Sequence, residues 1–154
     1  MEGNKQILET LNLRLSEELT AINQYIVHAE MCANWGYTKL HDTIEKRAIH
    51  EMKHAERIIE RILYLEGTPN VSKLNRINIG KDVEAQLKSD YESEKDAVKA
   101  YNESIKLCVE VGDNGTRELF KSNLLDEEDD VDWLEAQMDQ VKQMGIQNYL
   151  AQQV

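Results

Sequence analysis

The chain has 154 residues, of which 41% are hydrophobic and 31% charged, with a single proline and a formal net charge of −11. That length suits one domain with a core of useful size and is short for two. The negative balance argues against nucleic acid or an anionic membrane as partner, since both need a cationic surface, and it suits the binding of cations.

The opening stretch, MEGNKQILETL, lacks the basic-then-apolar layout of a signal peptide, and no later run approaches the length of an apolar membrane span. Cys32 and Cys108 sit inside apolar-patterned helical stretches without CxxC or Cys/His spacing. Buried, reduced thiols and a cytoplasmic location are therefore expected. The first helix is predicted over about 5–35, closing at Gly36, and the second over about 39–66. Gly67 suits a C-cap there, and Pro69 cannot continue the helix. A third helix is predicted over about 82–111, with Asp82 as N-cap and Gly112 as stop. The fourth, about 116–144, starts near Asn114 or Thr116 and ends at Gly145, and a short piece over about 146–152 follows.

The first and last breaks are short, so each flanking pair should be an antiparallel hairpin. The middle connection, GTPNVSKLNRINIGK, is too long for a structureless loop inside one domain. It makes sense if it crosses the length of the bundle. The fold class expected is all-α: a four-helix bundle with one long crossover and a short C-terminal fifth helix, in one domain spanning residues 1–154.

Following the apolar seam of each helix places a glutamate about halfway along each one. The first runs Leu11, Leu15, Glu18, Ile22, Tyr25, Ala29, and the second Ile44, Ala48, Glu51, Ala55, Ile58, Ile62. In the third, Glu94 stands between Tyr91 and Val98, and in the fourth Glu127 stands between Leu124 and Val131. Four ionised carboxylates in a dry interior would cost several kcal/mol apiece unless neutralised. Sharing a proton relieves part of this, and two divalent cations relieve more.

Further ligands should lie one turn away. In HEMKH, His54 follows Glu51 by three residues on the same face, and within DEEDDVDWLE the matching position after Glu127 is Asp130. Of the five consecutive acids, Glu127 and Asp130 should face inward, Glu128 and Asp129 outward, and Asp126 should lie at the flank. Tyr25 and Trp133 share this register and are expected to fill core, and Trp35 to pack at the end of its helix.

Two lone glutamates and two i, i+3 pairs form the di-metal carboxylate site of ferritin-like bundles. The stretches LSEELTAINQY, HEMKHAERIIERILYLEG, INIGKDV, DEEDDVDWLE and GIQNYL resemble bacterioferritin, and the resemblance covers nearly the whole chain. The resemblance implies a hollow cage of twenty-four copies that takes in ferrous iron, acts as a ferroxidase and stores ferric mineral. It implies one iron on Glu18, Glu51 and His54, the other on Glu94 and residue 130, and Glu51 and Glu127 bridging the two. It further implies a b-type haem at a twofold subunit interface, held by Met52 and its copy, with Leu19, Ile22, Asn23 and Ile26 as possible pocket wall. An electron-donating redox protein and a second bacterioferritin subunit are the partners the resemblance admits.

The chain departs from that pattern at two places. Asp130 stands where the family has histidine; it reaches less far and adds charge, so an asymmetric centre with a looser second iron position is expected. An inner-surface iron site is placed in doubt because its matching positions hold Lys46, His50 and Asp126. Two alternatives follow: a haem-binding shell subunit with a weakened di-iron site, and a di-iron peroxidase.

Overall fold

The structure, a computed structural model, describes residues 1–154. Five helices and no strands are present: α1 (Lys5–Asn34), α2 (Thr38–Tyr64), α3 (Val83–Val111), α4 (Asn114–Met144) and α5 (Ile146–Ala151). α1 packs along α2 and α3 along α4, the two hairpins meet chiefly through α1 and α3, and α5 folds against α4. No helix is long and apolar enough to cross a membrane.

The helix ends follow from local chemistry and refine the expected boundaries. α1 begins at Asn4, whose side chain accepts hydrogen bonds from the amides of Gln6 and Ile7, and α3 begins at Asp82, which caps Ala85. α4 starts at Asn114, the earlier of the two expected starts, because Asp113 is its cap: the Asp113 carboxylate accepts from the Thr116 amide. At the end of α2 the left-handed residue is Glu66 (φ 60°) and not Gly67. The Glu66 and Gly67 amides return to the carbonyls of Leu63 and Ile62, a Schellman pair. Gly67 makes room of a different kind, since a Cβ there would stand 2.5 Å from Leu8 Cδ2 and force that side chain to shift.

The crossover over residues 65–82 runs along α1 as expected and is tied to it by side chains. The amides of Asn70, Asn75, Asn78 and Gly80 donate to Asn12 Oδ1, Thr20 Oγ1, Gln24 Oε1 and His28 Nε2, at 2.8, 2.8, 3.2 and 3.0 Å. These partners stand four or eight residues apart on one face of α1. Because His28 Nε2 accepts, its Nδ1 carries the proton and donates to buried Asp90 of α3 at 2.9 Å, and Gln24 donates to the same oxygen at 2.8 Å. Four amides of a loop without secondary structure are thus satisfied, and its path along α1 is set.

The apolar core is in two parts. One contains Ile7, Leu11, Leu15, Ile58, Ile62, Tyr101 and Phe120; the other contains Tyr25, Ala29, Leu40, Ile44, Leu87, Leu134 and Tyr149. Cys32 and Cys108 are buried free thiols, one in each part. Trp35, expected to pack, is 38% exposed and meets Tyr37 edge-on.

Candidate metal centre

Between the two apolar parts lies a belt of charge. Glu18, Glu51, His54, Glu94 and Glu127 are all buried, one glutamate from each long helix, and Asp130 is half-buried beside them. They form two overlapping groups able to point ligand atoms at one ion: Glu18, Glu51, His54 and Glu127; and Glu51, Glu94, Glu127 and Asp130. Glu51 and Glu127 belong to both. Glu128 and Asp129 face outward.

Two of the inward carboxylates, Glu18 and Glu94, are held from behind by tyrosines. Tyr101 donates its hydroxyl to Glu18 Oε1 and is itself a hydrogen-bond partner of Asn123, at 3.2 Å. Tyr25 donates to Glu94 Oε1, so its ring fills core while its hydroxyl serves the belt. His54 directs Nδ1 towards Glu127 Oε1, Glu51 Oε2 and Glu18 Oε2, at 3.1, 3.4 and 3.5 Å. Its Nε2 lies 2.8 Å from Asp126 Oδ2. Asp126, which the resemblance groups with Lys46 and His50 on an inner surface, instead orients this imidazole, while Lys46 and His50 are exposed.

Burial pushes the carboxyl groups of Glu18 and Glu127 well above their ordinary range, and neighbouring carboxylates add to it. Burial likewise pushes Glu94 up to about 8, and Asp130 up to about 6 against the opposing pull of Arg47. At Glu51 burial acts the same way, but hydrogen bonds with Glu18 and His54 outweigh it and hold the group down at about 2. Burial alone would lower His54; the carboxylates around it reverse that and raise it to about 11. The belt thus holds several protons and one ionised bridging carboxylate.

Sequence reasoning missed Arg47. It lies on α2 one turn before Glu51, is buried, and places Nη2 3.6 Å from Glu94 Oε1 and Nε 3.5 Å from Asp130 Oδ1. Its guanidinium lies over the rings of Tyr25 and half-buried Trp133, 5.1 and 4.9 Å from their centroids. The signal available was a basic residue at an inward position, i−4 from a seam glutamate. A cavity of about 220 Å³ reaches the belt from beside the crossover, lined by Thr20, Gln24, Asn78 and Ser93 as well as Glu18 and Glu94.

Met52 follows Glu51 and faces away from the belt, 44% exposed, with Ile49 one turn earlier on α2 also exposed. On α1, Leu19 and Ile22 are half-buried, Asn23 is exposed and Ile26 is 49% exposed.

The family model described as a ferritin-like domain matches residues 8–144. The bacterioferritin of Rhodobacter capsulatus is 42% identical over 149 residues, covering 97% of this chain and 92% of that protein. The bacterioferritins of Mycolicibacterium paratuberculosis and Brucella melitensis are 39% identical over 152 residues and 38% over 149, covering 99% and 97% of this chain and 96% and 92% of their own lengths.

Proposed function

This chain belongs to the ferritin-like family and, within it, to the bacterioferritins, and from that premise we propose that it stores iron by oxidising Fe(II) at the buried belt and depositing ferric mineral inside a shell of twenty-four cytoplasmic copies. The observation that carries the reading is a set of buried carboxylate oxygens with no hydrogen-bond partner: Glu18 Oε2, Glu51 Oε1 and Glu94 Oε2. A buried acceptor without a donor is costly, and three converging ones call for a cation. Carboxylates with an imidazole fit iron in its ferrous state.

Glu18, Glu51, His54 and Glu127 would hold one ion, and Glu51, Glu94, Glu127 and Asp130 the other. Bound iron supplies the redox chemistry, each ferrous ion giving up one electron to dioxygen or peroxide. The protein's part is positional and protonic. Tyr101, with Asn123 behind it, fixes Glu18, Tyr25 fixes Glu94, and Asp126 fixes the ring of His54, so that Nδ1 faces the ligand space once its proton leaves. Glu18, Glu94 and Glu127 release protons as cations arrive, and the cavity beside the crossover gives a polar route inward. The apolar layers on either side exclude bulk water.

Met52 fits a haem ligand by its chemistry, an outward thioether beside exposed Ile49, and Met52 with its copy across a twofold axis would hold the haem. Haem held there would supply one-electron redox chemistry, for which an electron-donating protein is the expected partner. A second reading, a haem-binding subunit of a mixed shell with a weakened centre, is favoured by one observation, the position of Arg47.

The test is anaerobic Fe(II) titration of the assembled protein, followed by exposure to dioxygen, with mass, haem absorbance and retained iron measured together. Tight ferrous binding, oxidation above background and a mass near twenty-four chains are expected. Haem binding with weak iron uptake or without oxidation supports the second reading, and the absence of both tight iron binding and haem overturns both.

A further inference from the structure

The two halves of the belt differ in fixed charge. In the Glu18–Glu51–His54–Glu127 half, the groups present are three carboxylates and an imidazole. In the other, the guanidinium of Arg47 stands against both Glu94 and the shorter Asp130. Arg47 Nε and Nη2 are buried and have no hydrogen-bond partner. The 3.5 and 3.6 Å separations therefore act through charge more than through directed bonds. A guanidinium does not titrate in proteins, so it cannot yield its place by losing a proton. Nor can it easily swing away, because the Tyr25 and Trp133 rings lie beside it.

Resting on the reading of the belt as a metal centre, we infer that Arg47 is a fixed internal cation that sets how many ions the centre holds: one divalent ion tightly, in the Glu18–Glu51–His54–Glu127 half, with the Glu94–Asp130 half already partly neutralised by the protein itself. A second divalent ion on Glu94 and Asp130 would share those oxygens with the guanidinium, and like charges a few ångströms apart in a dry interior repel strongly. The reach of Asp130 is then a secondary matter. Arg47 is a positioning residue in this account, because it acts on the second ion through the carboxylates they share.

The probe is Co(II), titrated anaerobically into the full-length assembly and followed by calorimetry and by visible absorption. The native protein is expected to take up one Co(II) per chain tightly, with a second step weaker by roughly 100-fold. In Arg47→Gln the second step should tighten by roughly 10- to 100-fold while the first is unmoved. Arg47→Lys, which keeps the charge, should stay at one tight ion, and it keeps the test open if the glutamine variant does not fold. Asp130→His should leave the count at one while Arg47 remains. Two equal tight ions in the native protein, an unchanged second step in Arg47→Gln, or two tight ions in Arg47→Lys or in Asp130→His would overturn the inference. No tight ion in any variant would instead overturn the metal-centre reading beneath it.

Discussion

Replacing Glu127 by glutamine is expected to leave the metal-depleted protein at least as stable as the native chain while removing most of the melting-temperature rise that Co(II) produces. Burial already holds the Glu127 carboxyl protonated, so a neutral amide changes little in folding, whereas a cation needs the anion. Acidity moves the same balance. A carboxyl whose pKa is raised by folding binds a proton that the unfolded chain has released, so its contribution to stability falls as pH climbs from the ordinary value to the raised one. Glu94, from 4.5 to about 8, and Asp130, from 3.8 to about 6, both act this way. His54 contributes fully below 6.5 and loses its contribution only as pH passes about 11; Glu51 runs oppositely, its contribution being lost as pH falls from 4.5 through about 2. Between pH 5 and pH 8 the metal-depleted protein should therefore lose stability, while the increment from Co(II) grows because the ion displaces those protons. Thermal melts with and without Co(II) across that range check both slopes. Asp126→Ala should weaken cation binding by about 10- to 100-fold without touching a ligand, since it frees Nε2 of His54. The four glutamates and His54 were legible as acid and imidazole on apolar seams. Arg47 was not, because a basic residue beside acids reads as a solvated pair until its burial is known. The orienting role of Asp126 also needed three dimensions: α4 turns it towards His54 of α2, and nothing in the sequence spacing joins positions 54 and 126.

Four helices and a bundle-length crossover follow from apolar periodicity and from the length of one connection, and the structure has both. What periodicity could not supply is how that connection is held. Ser16, Thr20, Gln24 and His28 are uncharged or weakly basic residues at steps of four on α1, all buried. As a polar stripe on an amphipathic helix they read as solvent-facing, yet Thr20, Gln24 and His28 receive the crossover's amides. Thr20→Val keeps the shape and removes the acceptor for the Asn75 amide; a loss of about 1–3 kcal/mol is expected, with faster amide exchange confined to the 70–80 region. The end of α2 was misread for a related reason. A glycine after a helix suggests left-handed backbone, but here Glu66 takes that conformation and Gly67 makes room for Leu8. Gly67→Ala should therefore destabilise through overpacking, by about 1–3 kcal/mol, and trimming Leu8 to alanine alongside it should recover part of the loss in denaturant melts.

At the scale of the whole molecule, a net charge of −11 on each chain opposes the gathering of many copies. Outward apolar side chains such as Ile26, Ile49, Met52 and Leu125 favour it. The assembled fraction, read by sedimentation, is thus expected to rise with ionic strength as repulsion is screened. The layered interior has its own bearing on cooperativity. Two oily compartments stacked along the bundle, with an ionisable floor between them, share few contacts of the kind that make one melt with the other. A cation on Glu18, Glu51, His54 and Glu127 would tie α1, α2 and α4 together at that floor and couple the two compartments. Filling the centre should then sharpen the thermal transition as well as raise it, and amides on either side of the floor should acquire a common opening rate in exchange measurements.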